Sequence, residues 1–293
     1  DTSAVTDMTN AFFHCVKLKS VATGIFDTQS LLYAEHIFYQ CYLLETIDFS
    51  NRDLSGLTNA NGMFYECRSM VSANFSNTNT TSLKNAGYMF YKCASLTDIN
   101  LEGFNTGNTT SFISMFAGCS SLEKLDLTSF QLKSATALDY MFQNCSSLRD
   151  IDLSTFGDNT AKTTKYMFDG CSSLEAVDVS SIRMDYVNDA EHMFSRCSDL
   201  KSLDLSDWNL KALHNATSMF EDCRSITDFD LSSFSDTDIQ FFNACFKNCS
   251  SLEEIDLSTF YTAILIMTEI LLIGLKKTER GSGWLLDVTG DSR

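Results

Sequence analysis

The chain has 293 residues, of which 44 % are hydrophobic, and its formal net charge is −17. This apolar content predicts a folded chain rather than a disordered one. The acidic balance, with no cluster of Lys and Arg, argues against nucleic acid and against anionic membrane surfaces as partners.

Ten of the eleven cysteines recur at a constant spacing of 26 residues. A fixed period of this length predicts a solenoid in which each repeat stacks on the next. We call each repeat a coil and each of these residues its lattice cysteine. The lattice cysteines are Cys15, Cys41, Cys67, Cys93, Cys119, Cys145, Cys171, Cys197, Cys223 and Cys249.

Each coil is predicted to contain a short helix that ends near its lattice cysteine. Phe stands three residues before every lattice cysteine, and Met precedes that Phe in seven coils. A further apolar residue often stands seven residues before the cysteine, as Ala190 does before Cys197. Apolar residues at this spacing define one face of a helix.

The residues after the lattice cysteine are predicted to form a short parallel strand. Leu148, Ile151 and Leu153 give the pattern LxxLxL, and the last two point to the same side of an extended chain. A strand and a helical return within 26 residues fall in the range of leucine-rich repeats. The predicted fold is therefore an α/β leucine-rich-repeat solenoid of about ten coils, spanning residues 1–260.

The repeat pattern ends after Phe260, and residues 261–280 are predicted to form a C-terminal capping helix. Leu275 replaces the lattice cysteine there, and an exposed solenoid end needs a cover. The apolar run from Ala263 to Leu275 is 13 residues long and contains Glu269, so it is too short to span a membrane. Residues 281–293 match no repeat and stay unassigned.

The units MFxxCSSLxxLDLSxF and VTDMTNAFFHC resemble the bacterial surface protein 26-residue repeat of the BspA-like leucine-rich-repeat class. The resemblance covers roughly residues 1–260. It implies a secreted or surface-displayed binding module, often adhesive, without catalytic activity. The expected location is therefore extracellular or at the cell surface. The chain also opens in register with its repeats, which predicts that it begins inside a longer protein.

The regular cysteines are expected to be small buried hydrophobes that fill one core position in each coil. Zinc sites need paired ligands from close loops, and here one cysteine per coil has no accompanying His. Parallel side chains on neighbouring coils also argue against disulfides. The predicted core ladder consists of the ten lattice cysteines together with Phe116, Phe142, Phe168, Phe194 and Phe220.

A row of acidic residues is predicted to lie on the outer face of the strands. The six consecutive members are Asp126, Asp152, Asp178, Asp204, Asp230 and Asp256. Like charges on neighbouring coils repel, and nearby hydroxyls or the cations Lys124, Arg149 and Lys201 are expected to compensate them. A hydrogen-bonded structural ladder is the simpler interpretation. The alternatives are Ca²⁺ bound by these oxygens, or a partner that binds this strand face.

No set of residues in the repeats predicts catalysis, because no coil supplies a nucleophile, a base and an orienting acid together. No cofactor or metal is expected apart from the candidate calcium row. The preferred hypothesis is a non-enzymatic recognition or adhesion module that binds a protein or carbohydrate, on a host or neighbouring cell surface, through its strand face. One alternative is a structural protein that self-assembles into a filament or coat. The other is an intracellular protein-interaction scaffold.

Overall fold

The computed structural model describes residues 2–22 and 28–256, together with the backbone of two short strands nearer the C-terminus. Within the long segments, successive coils stack in sequence order, and parallel bridges join residues that are 26 positions apart. Asn59, for example, bridges Tyr33 in the preceding coil and Asn85 in the following one. The predicted repeat solenoid with parallel strands is therefore confirmed.

The five strands have only two or three residues each, and each three-residue strand has one inward residue between two outward ones. β1 to β3 form one parallel sheet, and β4 and β5 form a second. Within the first sheet, Ile47 of β1 pairs with Ala73 of β2, which pairs with Ile99 of β3. The strands are β1 (Thr46–Asp48), β2 (Ser72–Asn74), β3 (Asp98–Asn100), β4 (Lys124–Leu125) and β5 (Asp150–Ile151).

The prediction of one short helix in each coil was wrong. In the parts of the chain that the structure describes, the only helical segments are two 3₁₀ helices, Ser154–Asp158 and Ser232–Phe234, and both follow the strand position. The residues before each lattice cysteine form consecutive tight turns instead. In the first coil, Ala11 N–H donates to the Met8 carbonyl, and Cys15 N–H donates to the Phe12 carbonyl.

Two left-handed residues in every coil prevent a helix. The residues five and one positions before the lattice cysteine have positive φ in all ten coils, for example Tyr140 (φ 60°) and Asn144 (φ 57°) before Cys145. A right-handed α-helix requires negative φ at each residue, whereas a tight turn of type II requires positive φ at its third residue. The apolar spacing is the same in both structures, so the hydrophobic pattern alone did not separate them.

The turns leave alternate N–H groups free to bond to the next coil, which a helix would not do. Tyr140, Phe142 and Asn144 donate to carbonyls of the following coil at 2.7–2.9 Å. The same three positions donate in this way between every pair of neighbouring coils. Each coil is thus hydrogen-bonded to its neighbour along its turn segment as well as along its strand.

The core is one continuous column of apolar side chains between the turns and the strands. The Phe three residues before each lattice cysteine stacks on its counterparts in the neighbouring coils, with ring centroids 5.2–6.0 Å apart. Phe116, Phe142, Phe168, Phe194 and Phe220 are fully buried. Because each ring packs only against adjacent coils, this core extends along the solenoid axis.

Most of the predicted capping helix, residues 261–280, lies outside the described residues, as does the unassigned tail apart from Trp284–Leu286. Leu275–Lys277, however, form strand β6, which pairs antiparallel with β7 (Trp284–Leu286). The helix prediction is wrong for these three residues. The sequence between the strands contains Gly281 and Gly283, which are typical of hairpin connections. Across the described residues, no helix is long and apolar enough to cross a membrane.

The left-handed positions give a direct stability test at Ala244, whose φ is 54°. Replacing Ala244 by Gly removes the steric cost of a Cβ in this conformation, so we expect the free energy of unfolding to rise by about 1 kcal/mol. Ala94→Gly is the matched control, because Ala94 is not left-handed, and it should lower stability by about 0.5–1 kcal/mol. Urea unfolding measures both, and equal effects would contradict the assignment.

Candidate functional site

The strand face carries all nine side chains that the sequence predicted as binding residues. Each of them is exposed in the structure. They are Asp126, Asp152, Asp178, Asp204, Asp230, Asp256, Lys124, Arg149 and Lys201. The register places the aspartates in one row with one member per coil. Neighbouring members are therefore separated by about 4.8 Å, the usual distance between paired strands.

Each aspartate from Asp126 to Asp230 in this row closes a local turn. One carboxylate oxygen accepts the backbone N–H of the residue two positions on, at 2.8–3.0 Å. Asn74 and Asn100 accept the same bond in earlier coils. The Thr128 and Ser180 hydroxyls also donate to Asp126 and Asp178, at 2.7 Å and 2.6 Å. These bonds are typical of Asx turns and satisfy one oxygen of each carboxylate.

These hydrogen bonds favour the charged form of the aspartates. The Thr128 hydroxyl, followed by the Thr128 N–H, lowers the pKa of Asp126 below its usual value, and Ser180 does the same for Asp178. For Asp204 the backbone N–H of Ser206 is the larger cause of the lowered pKa. These three aspartates are therefore negatively charged at neutral pH.

On this face, lysines form ion pairs with acidic residues of neighbouring coils that lie outside the aspartate row. Lys124 Nζ is 3.6 Å from Asp150 Oδ2, and Lys201 Nζ forms an ion pair with Glu175. Both pairs are exposed and contribute little to stability. Within the described residues, no group of three or more His, Cys, Asp or Glu side chains is arranged to hold a metal ion. Calcium at the aspartate row stays a prediction.

The lattice cysteines have a hydrogen-bonding role that the sequence did not reveal. The thiol of each one from Cys41 to Cys249 donates to the carbonyl of the Phe in the preceding coil, at 3.1–3.2 Å. The same carbonyl also accepts the backbone N–H of the lattice cysteine in its own coil, as the Phe116 carbonyl does from Cys119. A cysteine at this position is both a small apolar side chain and a weak donor.

All eleven cysteines are free thiols. Ten are buried, whereas Cys15 in the first coil is exposed, because no described coil packs against its outer side. Burial raises the pKa of the Cys145 thiol to about 12 and that of Cys41 to about 11. The buried thiols are consequently protonated at neutral pH, and a thiol in that form is neither a nucleophile nor a metal ligand.

An aromatic surface on the turn side of the first four coils was missed at the sequence level. We call it the tyrosine face and define it by Phe13, Tyr33, Tyr39, Tyr65, Tyr88 and Tyr91. Phe13, Tyr39, Tyr65 and Tyr91 stack as one column with centroids 4.5–4.7 Å apart. The available signal was an aromatic residue two positions before the lattice cysteine in four consecutive coils and in none of the later ones.

The histidines do not form a catalytic arrangement with the nucleophiles of the described segments. His192 stacks on Tyr166 with centroids 4.6 Å apart, and its Nε2 lies 3.9 Å from Glu191. His214 Nδ1 is 2.6 Å from the Ala212 carbonyl oxygen. The contacts of these two histidines are therefore to a ring, a carboxylate and the backbone.

The geometry defines a repeat solenoid with parallel strands and a buried cysteine in nearly every coil. The chain belongs to the family described as "Mycoplasma protein of unknown function, DUF285", whose model matches residues 1–100, 68–177 and 162–272. A search of the curated proteins gave no match.

Several solved leucine-rich-repeat structures are similar to the chain. A leucine-rich-repeat protein of T. pallidum is 23 % identical, with a TM-score of 0.40 over 58 % of this chain and 72 % of that one. The Leptospira interrogans protein LIC12759 is 14 % identical, with a TM-score of 0.28 over 87 % and 79 %. The functional domain of InlJ from Listeria monocytogenes, described as including a cysteine ladder, is 15 % identical, with a TM-score of 0.24 over 83 % and 56 %.

The cysteine ladder predicts a dependence of stability on alkaline pH. The pKa of Cys145 is raised in the folded state, so its contribution is complete below the unfolded value of 9.0 and is lost as pH rises toward about 12. At pH 10 this thiol is ionised in the unfolded state and protonated in the folded state, which lowers the free energy of unfolding by about 1.4 kcal/mol. Cys145→Ala should therefore be less destabilising at pH 10 than at pH 7, by about that amount.

Urea unfolding of both proteins under reducing conditions at the two pH values measures this difference. An equal effect of Cys145→Ala at pH 7 and pH 10 would contradict the buried, protonated thiol. Cys15→Ala is the control, since Cys15 is the exposed lattice cysteine.

The turn-closing role of the aspartates gives a second test, at Asp126. Asp126→Asn keeps the acceptor oxygen, as Asn74 and Asn100 do, and we expect stability at pH 7 to change by less than about 0.5 kcal/mol. Asp126→Ala removes the acceptor and should cost on the order of 1 kcal/mol. Because the pKa of Asp126 is lowered, its charged form contributes above the unfolded value, and the contribution is lost as pH falls.

Thermal melting with CaCl₂ or with EDTA, applied to the same proteins, separates this role from metal binding. If Asp126 serves only the turn, calcium shifts the wild-type and Asp126→Asn melting temperatures equally. A calcium shift that the Asn variant loses would show that the row holds the ion.

Proposed function

We propose that the chain is a non-enzymatic recognition module, displayed at a cell surface, that binds a protein partner through the tyrosine face. The resemblance to BspA-like surface repeats and the absence of a catalytic arrangement among the described residues support this proposal. The observation that carries it is the uneven distribution of exposed apolar side chains along the solenoid.

Among the described residues, six of the eight exposed large hydrophobic side chains lie in the first four coils. Those six are Phe13, Leu32, Tyr33, Leu43, Val71 and Tyr88, and the other two are Tyr186 and Phe241. Phe13 and Tyr88 of this set line one hollow together with Tyr39 and Tyr65. Scattered apolar residues are normal on protein surfaces, but a contiguous apolar patch marks an interaction site. Aromatic residues are also the side chains enriched at the centre of protein interfaces.

The stacked rings are ordered before any partner binds. Tyr39 lies between Phe13 and Tyr65, and both of its ring contacts are nearly coplanar, at 4° and 12°. Arg68 lies over the Tyr42 ring and Lys92 over the Tyr91 ring, each 5.0 Å from the centroid. A face held in this way loses little side-chain entropy on binding.

The charge distribution favours a partner with a basic rim. Residues 1–100 contain nine acidic and six basic residues, whereas residues 101–293 contain 29 and 15. The part of the chain that carries the tyrosine face therefore has a small acidic excess, and the part that follows it has a larger one. A partner whose interface has an apolar centre and flanking Lys or Arg residues would complement both the tyrosine face and the acidic coils. The acidic coils would also attract it electrostatically during association.

The strand face is the alternative contact surface. Its exposed charges differ from coil to coil on a constant scaffold, as a surface selected for specificity would. Display outside the cell is compatible with the thiols, because buried, protonated cysteines resist the oxidation that exposed ones undergo there.

The test compares two sets of exposed residues in an adhesion assay. Phe13→Ser, Tyr33→Ser and Tyr88→Ser are combined in one variant, and Tyr186→Ser with Phe241→Ser is the matched control outside the face. Purified chain is titrated against a panel of immobilised extracellular proteins. We expect at least one partner to bind, the first variant to lose tenfold or more in affinity, and the control to bind normally.

A third variant, Lys124→Glu, Arg149→Glu and Lys201→Glu, tests the strand face in the same assay. Loss of binding in this variant alone would overturn the assignment to the tyrosine face and favour the strand face. Light scattering over a concentration series tests self-assembly. Growth into oligomers that the tyrosine-face variant abolishes would replace the separate partner with a second copy of the chain.

A further inference from the structure

A polar groove crosses coils four to six on the side of the solenoid that follows the strands. It has a volume of about 500 Å³, and a second hollow of about 360 Å³ adjoins it on the strand face. Thr128 and Ser129 line both. Volumes of this size are typical of small-molecule sites.

The groove lies where the coils change from one type to another. Phe75 and Asn77 in coil three donate to carbonyls of coil four, at 2.8 Å and 3.0 Å, as their counterparts in coil two do to coil three. Between coils four and five this backbone contact is replaced, and the Gly103 N–H donates to the Ser129 hydroxyl at 3.0 Å. Later coils use side chains here, such as Thr155, whose hydroxyl donates to the Leu127 carbonyl.

Two glycines at this junction leave room for neighbouring side chains. Gly103 keeps the left-handed conformation of the earlier coils, with φ 81°. A Cβ at Gly107 would lie 3.0 Å from Gln131 Oε1 and 3.2 Å from Lys133 Cε. The Gln131 and Lys133 side chains therefore lie over Gly107 and form one wall of the groove.

The opposite wall and the floor complete the site. Asp158 ends the 3₁₀ helix Ser154–Asp158, and the buried Asn159 fixes that end by donating to the Phe156 carbonyl at 2.8 Å. The buried side chains of Phe130 and Leu132 supply the apolar floor.

Among the described residues, the charged groups of the two walls form no ion pair at contact distance, and Asp158 interacts at longer range with Arg183. Within the described part of the chain, neither Lys133 nor Asp158 takes part in an ion pair. Asn105 Oδ1 accepts the Gly107 N–H at 2.9 Å, which fixes the amide and leaves its NH₂ group as a donor.

From this arrangement we infer that the groove binds a neutral saccharide. The lining carries one ammonium and one carboxylate, and its remaining polar side chains are amides and hydroxyls beside a small apolar floor. A hydroxyl-rich ring satisfies both kinds of group. An anion would meet a single cation on a chain of net charge −17, and an apolar ligand would leave these groups unsatisfied.

The experiment uses the complete chain and four neutral disaccharides as probes: maltose, cellobiose, lactose and chitobiose. Titration followed by amide NMR is expected to shift the Gly103 and Gly107 signals with at least one of them. Gln131→Ala with Lys133→Ala should weaken that binding tenfold or more. The matched control is Asn209→Ala with Lys211→Ala, which removes exposed side chains at the same positions three coils further on and should bind normally.

Three outcomes would overturn the inference. They are no shift with any probe, equal weakening by both double variants, and tighter binding of galacturonate or inorganic phosphate than of the neutral sugars. The tyrosine-face variant should keep saccharide binding. The proposed saccharide site and the proposed protein-binding face can therefore be rejected independently of each other.

Discussion

The structure depends on hydrogen bonding between backbone groups that are 26 residues apart. In each coil, alternate N–H groups of the turn segment reach carbonyls of the next coil, and the lattice cysteine donates its thiol to the coil before it. Every coil between the first and the last is therefore hydrogen-bonded on both sides at a fixed register. An insertion within a coil would displace its phenylalanine, cysteine and turn residues together, which explains why the period is constant over ten repeats.

This constraint separates the residues that build the scaffold from those that are free to vary. Cys, Phe and the inward strand residues fill the core, and polar residues at the turns close local hydrogen bonds. The other outward positions have no such structural role. Accordingly the tyrosine face occupies only the first four coils, and the polar groove occupies one junction. Binding surfaces on such a scaffold arise from local departures from the repeat.

The aspartate row illustrates how a regular acidic pattern can arise from folding. Its members repeat because each turn needs an acceptor oxygen two residues before a backbone N–H, and Asn serves equally at Asn74 and Asn100. The charge of the row is therefore a consequence of turn closure in most coils. The aspartates of the row are exposed, so a role on the strand face is an addition to the structural one.

The sequence by itself determined the period, the parallel strands, the buried Phe and Cys positions and the exposed strand face, because each follows from side-chain hydropathy at a fixed spacing. It did not decide between a helix and consecutive turns, since both structures bury apolar residues at the same spacing. The signal was the lack of β-branched residues at the two left-handed positions. The tyrosine face and the groove were decided only by the tertiary structure, because stacking brings together residues that are 26 or more positions apart.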